Sequence, residues 1–280
     1  MEEIAIEFIE VSRGKLKDFN LEINPGEKVL VLGRSEGLSL EICQVVMNLL
    51  NLDWGKIRVY GRNHRTNEAR TKLLLGYVGR EINFYPELRS GQIARLYSRY
   101  YPNWEEKRWK NLINRLKINE DEPVRKWKNE ERERLQLALA LARQAEVMIF
   151  AGTAGLAWQY RDLFSARQTL LLQGNGGEKW LKDADRVIFF GENGKWMTGS
   201  RKEIGERIRR VELKSSVPEE KIKEFMLDYE VKPEGIEGLT GDFDNFSKFM
   251  EENYPGVNWK AKIVDLADLS RRFAGGKKDG

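Results

Sequence analysis

The stretch LEINPGEKVLVLGRSEGLSLEICQVV, residues 21–46, decides the fold of this chain. Residues 28–33 form a short apolar run after a Pro25-Gly26 turn, which predicts a buried strand. The run leads into GRSEGLSLE, residues 33–41, and then into helical apolar spacing over residues 40–50. A strand, a tight glycine turn and a helix N-terminus make an anion site, because free backbone N–H groups and the helix dipole converge there. A nucleotide-binding loop of this kind also carries Gly-Lys-Ser/Thr at the helix start, the lysine for the outer phosphates and the hydroxyl for magnesium. Here Leu38, Ser39 and Leu40 occupy those places, and no lysine lies between Lys28 and Lys56. The scaffold of a phosphate loop is present without its charge. The plainer reading is a strand-to-helix turn with Ser35 or Ser39 near the N-cap and no ligand.

The bulk numbers narrow the class. At 280 residues and 41% hydrophobic composition, the chain can form one large domain and a smaller one. Its 48 Lys and Arg against 44 acids leave a net charge of only +4, so no nucleic-acid partner is expected. One cysteine, Cys43 in an apolar helical pattern, excludes an internal disulfide or a Cys-rich metal site and fits a reducing compartment. The sole histidine, His64, is expected in an exposed loop, and no metal is expected. No stretch approaches the roughly 18 apolar residues of a membrane span, and the acidic start MEEIAIEF is unlike a signal peptide. The expected location is cytoplasmic, with membrane association only through a partner.

Further strands are predicted at residues 4–11, 19–23, 56–60, 73–78, 147–150, 169–172 and 186–190, and helices at 105–117 and 130–143. Alternating strands and helices indicate an α/β core with a largely parallel sheet. Beyond about residue 210 the pattern changes to strands at 221–229 and 258–264 and helices at 244–253 and 265–273, ahead of a disordered Gly-Gly-Lys-Lys-Asp-Gly tail. The expected domains are 1–210, with a helical subdomain at about 89–145, and a C-terminal α+β unit over 211–280. The basic run 207–214 is expected as a solvated helix face or linker.

The order of segments resembles the nucleotide-binding domain of ABC transporters over nearly the whole chain. The likeness is carried by LKDFNLEINPGEKVLVLG (16–33), WGKIRVYGR (54–62), LLGYVGREINFYPEL (74–88), LALALARQAEVMIF (137–150) and DADRVIFF (183–190). The stretch LYSRYYPNWEEKRWKNLINRLKI (96–118) is similar to the helical subdomain of ATPases serving bacterial drug and bacteriocin exporters. The resemblance implies a P-loop NTPase-like fold, a mixed sheet with a helical subdomain, and a site for ATP and magnesium.

Compared position by position, the resemblance also implies that the site is degenerate. In the phosphate loop that begins at Gly33 and includes Gly37, the family's lysine aligns with Ser39 and its magnesium hydroxyl with Leu40, while Glu36 and Glu41 add negative charge. A like-charge contact at ~4 Å costs on the order of 4 kcal/mol at an effective dielectric near 20. The segment that carries the adenine-stacking aromatic residue is replaced by a direct passage through Gly14. The glutamine that senses metal and water aligns with Arg80, and the Walker B carboxylates with Ala151 and Gly152. The D-loop aspartate aligns with Ala157, and Asn175 is nearest to the switch histidine. The signature serine and glycine align with Lys128 and Glu130, so completing a partner's ATP site is not expected either. Asn83-Phe84-Tyr85-Pro86-Glu87-Leu88 corresponds to the groove that receives a permease helix, which makes Phe84, Tyr85, Pro86 and Leu88 candidate partner contacts. A packing role between subdomains weighs equally for Phe84 and Tyr85.

The function expected is that of a catalytically inactive ABC-type subunit bound to a membrane permease, a competent ABC ATPase or both, in a homo- or heterodimer. Alternatives are a soluble scaffold without a transporter, and an ATPase with an unorthodox site.

Overall fold

The computed structural model describes residues 4–33, 37–80, 83–174, 176–191, 193–214, 217–267 and 269. The chain begins with strands β1 (Ile6–Arg13), β2 (Leu16–Ile23) and β3 (Lys28–Leu32), followed by helix α1 (Leu38–Val46). Next come β4 (Trp54–Val59), β5 (Arg62–Asn63), α2 (Glu68–Leu74) and β6 (Leu75–Gly79). Helices α3 (Ser90–Tyr100), α4 (Glu106–Arg115) and α5 (Asn129–Ala142) precede β7 (Val147–Ala151), α6 (Ala154–Gln159) and β8 (Thr169–Gln173). The core closes with β9 (Arg186–Phe190), β10 (Trp196–Gly199) and α7 (Arg201–Arg207). The remainder is β11 (Arg209–Lys214), α8 (Glu219–Ile222), β12 (Met226–Lys232), β13 (Gly235–Thr240), α9 (Phe243–Asn253) and β14 (Trp259–Ile263).

The six-stranded sheet runs β10-β9-β3-β8-β7-β6 and is parallel except at its β10 edge. Its central strands are apolar along their middles, with Lys28, Thr169, Gln173 and Arg186 only at their ends, because both faces are covered. In β3, Val29 and Val31 face α1 and the antiparallel sheet β2-β1-β4-β5. Leu30 and Leu32 face the opposite way, into the core shared with α5 and the helical segments. Strand β7 alternates likewise, with Val147 and Ile149 on the first side and Met148 and Phe150 on the second. The Pro25-Gly26 turn is tight: Gly26 has φ 79°, and a Cβ there would stand 2.7 Å from the Ala166 carbonyl oxygen.

The C-terminal unit has the order β-α-β-β-α-β, with a fully antiparallel sheet β12-β13-β11-β14. Placing β13 between β11 and β12 makes this a split βαβ, the ferredoxin-like arrangement. Val211, Leu213, Met226 and Ile236 pack beneath Phe246 and Met250 of α9. Leu227, Leu239, Val264, Leu266 and Leu269 instead join Ile204 and Ile208 in the core of the preceding domain.

Several sequence expectations need correction here. Residues 207–214 are neither linker nor helix face, because Arg209–Lys214 forms an inner strand with Val211 and Leu213 buried. Residues 221–229 are not one strand: Pro218 and the acidic pair Glu219-Glu220 open a helical turn, and extended structure starts at Met226. His64 is buried, not exposed, with its backbone N–H donating to the Ile57 carbonyl at 3.0 Å and its Nδ1 3.1 Å from the same oxygen. Of the predicted helix at 265–273, positions 266, 267 and 269 are helical, while 270–273 and the C-terminal tail lie outside the described residues.

Candidate functional site

Strand β3 ends at Leu32, and α1 begins with Gly37 as a cap that has no side-chain bond. At Gly33, φ is 151° and a Cβ would lie 3.0 Å from both the Phe190 carbonyl oxygen and the Ser39 Cβ. Glu36 lies outside the described residues, as does Asn175. Ser39 is neither the N-cap nor exposed: it is the second residue of α1 and fully buried. Leu40 is partly buried against the core on the α1 side of the sheet. Glu41 is not a free negative charge, because its Oε2 accepts from Arg13 Nε at 2.8 Å. The Gly14-Lys15 turn closes the β1–β2 hairpin in two residues, with Gly14 at φ 55°.

A neutral hydrogen-bond chain crosses the ends of the parallel strands. Gln173 Nε2 donates to Ser39 Oγ at 3.3 Å, and the Gly152 N–H donates to Gln173 Oε1 at 2.8 Å. The Thr153 N–H donates to the Gln173 carbonyl at 3.1 Å, and Thr153 Oγ1 donates to the Val78 carbonyl at 2.9 Å. Gln136 on α5 completes the row, its Oε1 accepting from Gly79 N–H at 2.8 Å. These bonds tie α1, β8, β7, β6 and α5 together at one edge of the sheet. Ala151 is buried at the end of β7 and Ala157 is buried in α6, so neither presents a polar group.

Glycine backbones fill the neighbouring space. A Cβ on Gly174 would lie 2.3 Å from Gly152 Cα, and one on Gly176 would lie 2.5 Å from Gly155 Cα. The segment after β8 therefore rests directly on the segment after β7, joined by a Thr153–Gly174 bridge. A magnesium–nucleotide needs an ammonium near the outer phosphates and oxygen ligands for the ion. The described residues between β3, β7 and β8 supply the Ser39 and Thr153 hydroxyls and the Gln173 amide, Lys15 lines the pocket beside Gly37 and Leu38, and none of the described His, Cys, Asp or Glu residues form a metal-holding group of three or more. Among the described residues, that donor set lacks the clustered carboxylates that would hold the ion.

Arg80 follows β6 with its side chain exposed, and its Nε lies 3.7 Å from Glu133 Oε1 on α5. Burial pushes the Glu133 carboxyl above its ordinary value, and Arg80 partly opposes the shift. Lys128 and Glu130 are exposed at the start of α5, where the Lys128 N–H donates to Glu131 Oε2 at 2.8 Å. That bond satisfies one of the helix's open N–H groups.

A groove of about 730 Å³ opens between α2 and α3. Its lining includes Leu73 of α2, Phe84 and Tyr85, and Leu96, Tyr97 and Tyr100 of α3. Tyr85 is 73% exposed and Tyr100 76%, while Phe84 also packs partly into the core. Pro86 and Leu88 are backbone anchors: their carbonyls accept from Arg125 N–H at 2.9 Å and Val124 N–H at 3.0 Å. Behind the groove, buried Arg143 stacks 4.1 Å from the Tyr101 ring and donates to the Lys72 carbonyl at 2.9 Å and to that of Leu75. Of the aromatic run 97–109, Trp109 is core, whereas Tyr100 is surface. Gln173, Gln136, Thr153 and Arg143 escaped the sequence reading. The one available signal was a polar residue closing an apolar run, as in TLLLQ, and no spacing rule links it to Ser39 at a separation of 134 residues.

The parallel sheet, the strand–loop–helix at Gly33 and the inserted helices α3–α5 define a nucleotide-binding domain of the P-loop class. Residues 16–150 match the model of the ABC transporter family (ABC_tran). None of the curated proteins compared with the chain matches it. Among solved structures, the ATP-binding subunit of an ABC transporter is similar, with TM-score 0.61 and 17% identity over 72% of this chain and 92% of that one. A bacterial Atm1-family ABC exporter with ATP bound aligns with TM-score 0.60 and 16% identity, covering 73% of this chain and 40% of that one. The cbiO1 protein from Clostridium perfringens, part of the ABC transporter complex cbiONQ, aligns with TM-score 0.51 and 17% identity over 72% of this chain and 91% of that one. The fold is that of an ABC nucleotide-binding domain.

Proposed function

We propose that this chain is an ABC-type subunit that does not hydrolyse ATP and serves as a binding or regulatory component of a transporter complex. The carrying observation is the Ser39–Gln173–Gly152 chain, which puts neutral bonds where a nucleotide site needs lysine, metal ligands and a carboxylate. A wide aromatic groove between α2 and α3 supports a role in binding a permease. The similar cbiO1 is itself part of a transporter complex, which fits this assignment. The residues in contact with the permease are Phe84 and Tyr85, on a strap that Pro86 and Leu88 hold in place. Arg80, Lys128 and Glu130 leave no site to complete for a paired ATPase, so a dimer with a competent ABC ATPase would run on the partner's own chemistry. None of the helices among the described residues is long and apolar enough to cross a membrane.

The test pairs a ligand measurement with a partner measurement. A nucleotide at 100 times its dissociation constant stabilises the folded state by about 2.7 kcal/mol. Millimolar Mg-ATP is therefore expected to leave the melting temperature unchanged, and phosphate release is expected to match a heat-killed control. A clear upward shift with turnover would replace this reading with a working ATPase. Co-expression with membrane proteins encoded beside it should recover a permease; recovery of neither a permease nor a paired ATPase would favour a transporter-free scaffold.

A further inference from the structure

A second cavity lies between the first domain and the C-terminal sheet, and its Lys15 also borders the start of α1 beside Gly37 and Leu38. It measures about 450 Å³, within the range of small-molecule sites. Its walls come from the β1–β2 hairpin, the β9–β10 turn, the end of α7 and the segments flanking β12 and β13. Gly191 and Gly194 of the β9–β10 turn pack against backbone on both sides. A Cβ on Gly194 would stand 2.1 Å from the Lys15 carbonyl oxygen, and one on Gly191 would stand 1.6 Å from that of Leu227. Asn193 Nδ2 donates to the Met226 carbonyl at 2.7 Å, while its Oδ1 accepts from Lys195 N–H at 3.1 Å. Lys195 therefore projects from a turn clamped on both sides.

Among the described residues, four cations line the cavity, Lys15, Lys17, Lys195 and Arg207, against two acids, Glu224 and Asp242. Four positive less two negative charges leave an excess of two. None of the four cations forms an ion pair or a side-chain hydrogen bond with a described residue, although Glu224 and Asp242 act on Lys195, and Glu203 on Arg207, through space. Burial lowers the Lys195 pKa, the mark of an ammonium partly withdrawn from water without a partner at contact distance. Phe225, Leu227 and Met197 supply an apolar floor.

We propose that this interdomain cleft binds a small organic dianion with an apolar body, the charges meeting Lys15, Lys17, Lys195 and Arg207 and the body resting on Phe225. Two negative charges would cancel the excess that the walls hold at close quarters, and convergent cations on separate elements would orient the head. Because one wall belongs to each domain, an occupied cleft ties the C-terminal sheet to the β1–β2 hairpin. This proposal does not rest on the reading of the phosphate loop.

Phenyl phosphate and phenylsuccinate serve as probes for the two sources of such a head, a phosphate monoester and a dicarboxylate. Isothermal titration calorimetry on the full chain at low salt should show one saturable site for at least one of them, at about millimolar affinity or tighter. Inorganic phosphate, which lacks the body, should bind at least tenfold more weakly. The double variant K195Q/R207Q and the separate K15Q/K17Q should each weaken binding by about tenfold or more, whereas K110Q on the distant α4 should not. All of these are exposed or half-exposed positions, and unchanged melting temperatures verify folding. The proposal is overturned if neither aryl dianion saturates below about 10 mM. It is equally overturned if binding survives both double variants, or if Ser39→Glu abolishes binding while the cleft variants do not.

Discussion

Arg143 carries more of this structure than any residue of the phosphate loop. It has no carboxylate partner among the described residues, and its charge is spent on carbonyls at the end of α2 and on the Tyr101 ring, which ties α5 to the groove. Arg143→Ala should destabilise the chain by about 3 kcal/mol in urea unfolding, since it leaves carbonyls without donors and opens a cavity. His64 gives a pH-dependent test. Burial holds its imidazole below the ordinary value of 6.5, so the unfolded chain takes up this proton first as pH falls. The stability tied to neutral His64 is complete above 6.5 and is lost as pH drops toward the folded-state value. Melting curves from pH 8 to pH 5 should therefore show His64→Gln losing less stability on acidification than the native chain. The residue types in the loop were plain from the sequence, but their states were not. Ser39 was visible as a missing lysine, whereas its burial against Gln173 and the pairing of Glu41 with Arg13 depend on residues far away in the chain.

Between single side chains and the whole molecule, the glycine contact between the segments after β7 and β8 is the most sensitive element. Gly174 has φ 105° and no room for a Cβ, so Gly174→Ala should cost more than about 3 kcal/mol and separate the two segments. Gly14 offers the contrast: φ is 55° but the space is open, so Gly14→Ala should cost only about 1 kcal/mol. Chemical denaturation of the two variants side by side checks both values. Strands β3, β7, β8 and β9 were legible because burial on two faces demands an unbroken apolar run. Strand β13, GIEGLT, was not legible, because Gly235 and Gly238 leave it with little alternation to detect. Strand β11 was hidden by its charges, since Arg209, Arg210, Glu212 and Lys214 surround the two residues that define its buried face.

At the scale of the whole molecule, the groove between α2 and α3 and the split βαβ are the features open to partners. Tyr85 and Tyr100 are surface residues whose removal disturbs little packing. Tyr85→Ala combined with Tyr100→Ala should leave the melting temperature within about 2 °C of the native value, since exposed substitutions shift stability by less than ~0.5 kcal/mol. The same change should cut permease recovery in co-purification at least tenfold, as loss of two aromatic anchors costs several kcal/mol in a docked interface. Recovery at native levels would place the permease elsewhere on the surface. The sequence by itself determined the α/β class, the strand–loop–helix at Gly33 and the absence of a lysine and acids at the expected positions, because periodicity and residue identity are local properties. Tertiary structure alone decided that Gln173 seals Ser39 to Gly152, that Arg143 braces the groove and that four cations converge on the interdomain cleft. Each of these joins strands and helices remote in sequence, and only the closing of the sheets brings their side chains within hydrogen-bonding or Coulomb range.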